Sequence, residues 1–194
     1  MPLLKREPDV FPPDLFDSGR RESWLVAHVR SRQEKVLARH LRAMAVPHYV
    51  PQREKKVSRS GRRFVSYLPL FPGYVFFRPA AAERAVAWES GVVVRLIDAP
   101  DPVRLEMELA QLSRLQRAGA TLVPYAFCPG EPVRVVEGPF EGYVGVVVRE
   151  RGTERLLVSV SLLRRAVSVE FEREMLAPVP PRAVSSPSCG ALTA

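Results

Sequence analysis

The sequence predicts an α+β fold in two parts, a domain of sheet and helices followed by a small all-β barrel. Two observations support this prediction. Through residues 23–117, strand-like runs alternate with segments that repeat apolar residues every three or four positions, which is the spacing of an amphipathic helix. Residues 130–179 hold four short strand-like runs, and in the last two the apolar residues Val158, Val160, Val167, Val169 and Phe171 alternate with Ser or Glu, which is the period of half-buried strands. About fifty residues of such strands can close a small barrel.

Each element at the start of the first domain has its own local signal. Trp24–Val29 is a short apolar strand, and Ser31 with Glu34 has the spacing of a capping box, which predicts the start of a helix. One face of that helix is apolar and the opposite face is cationic. Ser60-Gly61 predicts the turn of a hairpin with a basic tip, because it separates two runs of strand-forming residues.

The rest of this domain is predicted to complete the sheet. Gly73–Arg78 and Gly91–Ile97 are rich in aromatic and β-branched residues, as strands are. Ala80–Ser90 between them is predicted to be a helix that Gly91 ends. Asp101 followed by Pro102 is a common start of a further helix. The predicted order is therefore β-α-β-hairpin-β-α-β-α.

Three segments lack an apolar period and are expected to be flexible. Residues 1–22 form an arm, residues 118–129 a linker and residues 180–194 a tail. The first domain then occupies residues 23–117 and the barrel residues 130–179. Because the barrel segment has turn glycines and few good helix formers, we expect it to stay a barrel and to tumble freely on its linker.

Positive charge is concentrated in the first domain. The whole chain carries a formal net charge of +8. Residues 21–117 hold 18 Lys or Arg against 9 Asp or Glu, whereas residues 126–180 hold 7 Arg against 8 Glu. Basic charge confined to one half suggests that this half faces a polyanion such as nucleic acid. A basic surface that only aids solubility is the alternative.

The sequence lacks the motifs of an enzyme or a metal protein. It contains neither Gly-x-Ser-x-Gly nor Gly-x-x-x-x-Gly-Lys, so it is not predicted to be an enzyme or to bind a cofactor. Cys128 and Cys189 make no disulfide framework, and the three histidines have no zinc-ligand spacing. No stretch approaches the ~20 apolar residues of a membrane-spanning helix, nor the apolar core of a signal peptide. We therefore expect a cytoplasmic monomer that does not bind membranes.

Two stretches resemble the NusG family of transcription elongation and antitermination factors. The signature of the family's N-terminal NGN domain is similar to WLVAHVRSRQEKVLARHL followed by PLFPGYVFFR. The KOW motif that opens its C-terminal barrel is similar to PGEPVRVVEGPFEGYVGVV. KOW motifs also occur in ribosomal proteins, but the two motifs in this order indicate the NusG family. Arg30, His40, the EKKVSRSGRR hairpin and PLFPGY resemble specialised RfaH-like paralogues more than housekeeping NusG.

The resemblance implies a protein that binds the clamp of RNA polymerase beside the upstream fork of the transcription bubble, and that suppresses pausing or termination. Its polymerase contacts would be Phe71, Tyr74, Phe76 and Leu96. Strand alternation sends Tyr74 and Phe76 to one face. We expect these two to be the anchors, since interfaces concentrate binding energy in a few aromatic residues. The alternative is that all the aromatic residues are core.

Two basic clusters are candidate contacts to nucleic acid, because each Lys or Arg that neutralises a phosphate releases a counterion. One cluster lies on the first helix and the other on the hairpin. In the resemblance, Arg30 and His40 match positions that approach the displaced non-template DNA strand. The predicted contacts are Arg30, Arg32, Lys35, Arg39, His40, Arg42, Lys55, Lys56, Arg59, Arg62 and Arg63. Solvated surfaces are the alternative for both clusters.

The barrel is expected to recruit a second protein, which the resemblance narrows to Rho or a small-subunit ribosomal protein. Candidate contacts are Phe140 in a turn, and Leu162 and Leu163 at a loop tip, where an apolar pair has no obvious core to fill. The sequence departs from the family with Leu163 in place of an aromatic residue and Arg164 in place of glycine, so the partner stays open. A housekeeping NusG-type factor and a ribosome-associated KOW protein are the alternative functions.

Overall fold

The computed structural model describes residues 7–17, 23–59, 62–126, 132–138, 141–150, 153–170 and 176–179. The helices are α1 (Glu34–Ala43), α2 (Val86–Glu89) and α3 (Pro102–Arg117), with 3-10 turns at Ala81–Glu83 and Ser161–Leu163. The strands are β1 (Val10–Phe11), β2 (Leu25–Val29), β3 (His48–Tyr49), β4 (Gln52–Arg59), β5 (Arg62–Pro69), β6 (Tyr74–Phe77), β7 (Val93–Asp98), β8 (Val123–Ala126), β9 (Pro132–Val135), β10 (Val144–Glu150), β11 (Thr153–Val160), β12 (Arg165–Glu170) and β13 (Leu176–Pro178). The predicted tail, Phe140 and both cysteines lie outside the described residues.

Five antiparallel strands form the sheet of the N-terminal domain, in the order β1-β3-β6-β2-β7. One face packs Val26 and Phe76 against the buried leucines of α3. The opposite face packs Ala27 and Phe77 against α1. The central strands are therefore apolar on both faces, and this sheet covered by helices confirms the predicted α+β architecture.

Helix α1 begins at Glu34, later than the predicted capping box requires. Gln33 occupies the N-cap position and makes no side-chain capping hydrogen bond. The Glu34 side chain is buried, and its Oε1 accepts a hydrogen bond from the Gly73 N–H at 2.7 Å. The predicted capping box is therefore wrong, because this glutamate bonds a distant turn instead of the start of its own helix.

The other two helices differ in how closely they follow prediction. The predicted helix Ala80–Ser90 is instead a 3-10 turn followed by the four residues of α2. Helix α3 begins as predicted, since the Asp101 Oδ1 accepts from the Arg104 N–H at 2.9 Å and Pro102 is the first helical residue. Four of its leucines are buried, and this apolar stripe fixes α3 against the sheet.

The predicted hairpin is present as a separate two-stranded sheet. Strands β4 and β5 pair from Gln52 opposite Pro69 to Arg59 opposite Arg62. The predicted turn at Ser60-Gly61 lies outside the described residues.

The described part of the N-terminal arm is packed against the first domain. Val10 pairs with Tyr49 and Phe11 with His48, which adds β1 to the edge of the sheet. Leu15 is fully buried in the core. The expectation of a loose arm is thus corrected over residues 7–17, because a few apolar residues without a period still fill a groove. The domain boundaries themselves stay a prediction.

Six antiparallel strands form the C-terminal sheet, in the order β13-β9-β10-β11-β12-β8. The strands predicted in this region are present, and β12 pairs over its whole length with residues 155–160 of β11. Burial does not follow the predicted alternation, because all four residues 166–169 of β12 are buried. Strand β8 comes from the segment predicted to be a linker, and it pairs with β12. Within the described residues the outer strands β13 and β8 do not pair, so the sheet is barrel-like without being closed there.

Candidate functional site

The cationic surface predicted for α1 is present. Its members lie in the turn before α1 or on the helix itself: Arg30, Arg32, Lys35, Arg39 and Arg42. Arg30, Arg32 and Arg39 are exposed, whereas Lys35 and Arg42 are half-buried. A surface of this kind attracts phosphate groups through charge and counterion release.

The N-terminal arm brings a carboxylate to this cationic surface. One Glu7 oxygen, Oε1, lies 3.5 Å from Arg39 Nε, and the other, Oε2, lies 3.2 Å from Arg42 Nη1. Burial lowers the pKa of Lys35, and the carboxylates of Glu7 and Asp9 oppose that shift. Sequence analysis missed this contact because Glu7 and Arg42 are 35 positions apart and no local pattern links them.

His40 has a structural contact that sets it apart from the arginines. Its ring is half-buried, and Nε2 lies 2.9 Å from the Val86 carbonyl oxygen, so this nitrogen donates to the first residue of α2. The contact ties α1 to α2. The contact of His40 with nucleic acid stays a prediction.

The hairpin presents part of its predicted cluster to solvent. Lys55 and Lys56 are exposed on β4. The side chains of Arg59, Arg62 and Arg63 lie outside what the structure describes, although their backbone forms the end of the hairpin. The two lysines thus carry the described part of this cationic surface.

A hydrogen bond to the Glu34 side chain of α1 fixes the turn before β6. Gly73 adopts φ +87°, a left-handed conformation that favours glycine, and its N–H donates to the buried Glu34 carboxylate. Phe71 and Phe76 pack edge to face with ring centroids 5.9 Å apart, and they are 2% and 0% exposed. The expectation that they are surface contacts is corrected, because α3 and the arm cover the face to which alternation sends Phe76.

Tyr74 is the aromatic residue of this stretch that keeps accessible surface. It is half-buried, and its ring centroid lies 5.2 Å from that of His28. His28 pairs with Tyr74 on one side and with the exposed Arg95 on the other. Residues opposite each other in antiparallel strands share a face, so the three side chains form a row across β6, β2 and β7. The alternation of side chains along β2 was the signal that could have identified His28 as a member of this row.

Leu96 lies on the other face of the sheet from this row. It is the neighbour of Arg95 in β7, and it packs against the cluster beneath α1 and α2. Leu96 is half-buried. The structure therefore does not bring Tyr74 and Leu96, two of the predicted polymerase contacts, onto one face.

The predicted partner-binding loop of the C-terminal domain contacts α3. Glu108 accepts hydrogen bonds from the Ser161 N–H at 2.9 Å and from the Ser161 hydroxyl at 2.6 Å. Arg104 donates to the same hydroxyl at 2.8 Å and to Glu108 at 3.1 Å. Leu162 and Leu163 are half-buried against the apolar cluster that contains the α3 leucines.

This contact corrects the expectation that the C-terminal domain tumbles freely. Besides the Ser161 turn, the Gln111 side chain on α3 donates to the Val144 carbonyl of β10 at 2.9 Å, and Arg114 lies over the Tyr143 ring at 5.7 Å. The apolar pair Leu162-Leu163 packs against a cluster that contains residues of its own domain and the leucines of α3. A contact between residues this far apart in the chain leaves no pattern in the sequence.

Neither a membrane span nor a metal cluster is found in the part of the chain that the structure describes. No helix there is both long and apolar enough to cross a bilayer. Nor do three His, Cys, Asp or Glu side chains come together as a metal ion would require.

Comparison with known proteins agrees with this architecture. The family model described as "Transcription termination factor nusG" matches residues 22–112. The transcription termination/antitermination protein NusG of Yersinia pestis is 32% identical over 169 residues, which cover 78% of this chain and 93% of the relative. The protein of the same name from Escherichia coli strain K12 is 36% identical over 131 residues, covering 63% of this chain and 72% of the relative.

A solved structure described as "Domain interaction in Thermotoga maritima NusG" covers 82% of this chain and 98% of its own, with 19% identity and a TM-score of 0.48. The match to the Yersinia protein spans nearly the whole of that relative. The family model matches most of the NGN domain of mixed sheet and helices. The chain therefore belongs to the NusG family of transcription termination and antitermination proteins.

Proposed function

We propose that this chain binds RNA polymerase through the surface around Tyr74 and contacts single-stranded DNA of the upstream bubble through its cationic surfaces. Bound there, it would suppress pausing or termination in the manner of an RfaH-like paralogue. The observation that carries the proposal is the combination in one domain of an accessible aromatic ring on a rigid base and two separate cationic surfaces. A polymerase cofactor needs both, since it must hold the enzyme and the nucleic acid together.

The base of the Tyr74 surface is preorganised. Phe71 and Phe76 beneath it are buried, and Glu34 holds the Gly73 backbone. A ring presented on such a base loses little conformational freedom on binding, which favours affinity. Leu96 on the opposite face is a second proposed contact, and it would serve a partner that reaches around the β7 edge.

The C-terminal domain is proposed to recruit Rho or a small-subunit ribosomal protein through Leu162 and Leu163, with Phe140 as a further proposed contact. Both leucines are half-buried between the domains. A partner would therefore have to compete with α3 for this loop. Recruitment would follow release of the domain contact.

Polymerase binding by Tyr74→Ala tests the proposal. An aromatic anchor at an interface contributes about 2 kcal/mol, so we expect the full-length variant to bind purified RNA polymerase ~30-fold more weakly than the parent. Trp88→Ala is the matched control, because Trp88 is an exposed aromatic residue that lies outside the proposed surface. Equal binding by the Tyr74 variant and the parent, with both folded, would contradict the proposal.

Housekeeping NusG function is a second candidate, and the names of the relatives favour it. Both relatives described above are NusG proteins rather than specialised paralogues. Mapping of the chain along the genome separates the two candidates. Occupancy of most transcribed genes indicates the housekeeping function, and occupancy of a few operons indicates the specialised one.

A further inference from the structure

The N-terminal arm lies ahead of the region that the family model matches, which begins at residue 22. Its described part, residues 7–17, begins with Glu7, whose carboxylate meets Arg39 and Arg42 of α1. Further along, Leu15 is buried in the core and Phe16 packs against it. The arm therefore lies outside the matched region. Its position places a negative charge where the proposed function requires phosphate groups.

Glu7 spans two arginines on successive turns of α1. Its two carboxylate oxygens face Arg39 and Arg42 separately, at 3.5 Å and 3.2 Å. Arg42 also donates to the Pro8 carbonyl at 3.4 Å and lies over the Phe11 ring at 5.8 Å. Arg42 donates a hydrogen bond to the carboxylate, whereas the Arg39 Nε–H donates to the Lys35 carbonyl at 3.2 Å and pairs with Glu7 through charge alone. A carboxylate between two guanidinium groups thus places negative charge where a backbone phosphate would also be attracted.

The position of Glu7 is enforced by its neighbours. The Gln52 amide donates to the Glu7 carbonyl at 2.9 Å and to the Asp9 carboxylate at 2.8 Å. Gln116 of α3 donates to the same carboxylate at 2.9 Å. Further along, Phe16 stacks on Trp24 with ring centroids 5.8 Å apart. The arm is therefore anchored independently of the ion pairs, and Glu7 is delivered to the arginines by contacts that do not involve them.

Exposure of the three charged groups allows exchange with an external anion. The side chains of Arg39, Arg42 and Glu7 are 46%, 28% and 20% exposed. Ion pairs that water can reach contribute little to stability. A strand of nucleic acid could therefore displace Glu7 at small cost, whereas the apolar anchor of the arm would remain in place.

We propose that Glu7 occupies a phosphate-binding position on α1, and that the backbone of single-stranded DNA competes with it for Arg39 and Arg42. The inference rests on the proposed function and deepens it, because it makes the arm a built-in competitor that lowers the affinity of the α1 surface for free nucleic acid. On the polymerase, where the local concentration of the DNA strand is high, the strand replaces the carboxylate. A purely structural ion pair is the alternative, and it predicts no increase in binding when Glu7 is neutralised.

Binding of a labelled single-stranded DNA oligonucleotide to the full-length chain tests the inference. The variants are Glu7→Gln and its control Asp14→Asn, which removes one negative charge from an exposed position of the same arm. We expect Glu7→Gln to bind at least about threefold more tightly than Asp14→Asn at low salt. Its salt dependence should steepen by about 0.7 in log–log slope for each additional phosphate of the single strand that the two arginines neutralise. Equal affinity and equal slope for the two variants would overturn the inference.

A second set of variants ties the tighter binding to the two arginines. Adding Arg39→Gln and Arg42→Gln to Glu7→Gln should return the affinity and slope to those of Asp14→Asn. Persistence of the tighter binding without the arginines would overturn the inference, because the carboxylate would then act elsewhere. Thermal unfolding of each variant shows that the fold is intact.

A double variant of the hairpin distinguishes failure of this inference from failure of the proposed function. Lys55→Gln with Lys56→Gln should flatten the salt slope if the hairpin contacts DNA as proposed. If that happens while Glu7→Gln behaves like Asp14→Asn, the inference is overturned and the proposed function stands. If the parent and all variants fail to bind the oligonucleotide, the DNA contact of the proposed function is overturned together with the inference.

Discussion

His48 lies at the seam where the arm joins the sheet, and its side chain is fully buried. Its Nδ1–H donates to the Val46 carbonyl at 2.9 Å, and its ring stacks on Phe11 with centroids 5.5 Å apart. Burial lowers the pKa of His48 to about 4, and the Arg42 cation contributes in the same direction. The ring is therefore neutral in the folded protein at neutral pH.

Acid should destabilise the protein through this histidine. Its folded-state pKa of about 4 lies below its ordinary value of 6.5, so the unfolded chain binds the proton more readily. The stability is fully present above pH ~6.5 and is lost as the pH falls towards 4. We expect the parent to lose about 2 kcal/mol of unfolding free energy between pH 7 and 5 relative to His48→Gln, which cannot titrate. Denaturant unfolding at several pH values measures it, and parallel pH curves for the two proteins would contradict the assignment.

At the scale of the element, the turn between β11 and β12 shows how one residue departs from its preferred backbone. Arg164 ends the Ser161–Leu163 turn with φ 49° and ψ 43°, a left-handed conformation. That conformation costs a residue with a Cβ roughly 1–2 kcal/mol and costs glycine almost nothing. The family resemblance has glycine at this position, so the backbone here suits the usual residue better than the arginine.

Glycine should therefore be tolerated at residue 164 and not at residue 165. In Arg164→Gly the relief of the left-handed conformation offsets the larger entropy that glycine loses on folding, and we expect stability within about 0.5 kcal/mol of the parent or above it. Arg165→Gly makes the same chemical change in strand β12, where it should cost about 1 kcal/mol. Thermal unfolding ranks the stabilities of the two variants. An Arg164→Gly variant less stable than Arg165→Gly would show that the arginine side chain stabilises the fold by more than its left-handed backbone conformation costs.

The elements that the sequence predicts well are those whose cause is local. Asp101 caps α3 by accepting a hydrogen bond from the backbone N–H three residues later in the chain. The alternation of residue types that predicts a strand likewise lies wholly within that strand. Glu34 fails as a capping residue because its partner Gly73 is 39 positions away. The burial of Phe76 was likewise missed, since alternation assigns a face to a side chain but does not say which helix covers that face.

The same limit applies to the candidate site. The cationic character of α1 and of the hairpin could be predicted, because it depends only on residue type and spacing. The position of Glu7 among those cations could not be predicted from the sequence. The arm has no apolar period, and its position depends on contacts with Gln52 and Gln116. The row formed by His28, Tyr74 and Arg95 required the strand order, which the sequence does not fix.

At the scale of the whole molecule, the two domains share one apolar cluster. Residues of α3 and residues of β11 and β12 belong to it, and Leu162 and Leu163 pack against it. Glu108 is the polar centre of the contact, because it binds both the backbone and the hydroxyl of Ser161. The loop proposed to recruit a partner is thus held by the domain proposed to bind the polymerase, so the two proposed activities are linked through α3.

Removal of the Glu108 carboxylate should loosen this contact. In Glu108→Ala the Ser161 N–H and hydroxyl lose their acceptor, and an unsatisfied buried donor costs about 1–3 kcal/mol. We expect the C-terminal domain of the full-length variant to tumble faster than in the parent, measured by backbone amide relaxation of residues 132–170. Glu106→Ala is the matched control, because Glu106 lies on the same helix but pairs with Arg78 inside the N-terminal domain. It should leave the domains tumbling together. Fast C-terminal tumbling in the parent, or no change in Glu108→Ala, would show that the carboxylate does not hold the domains together in solution.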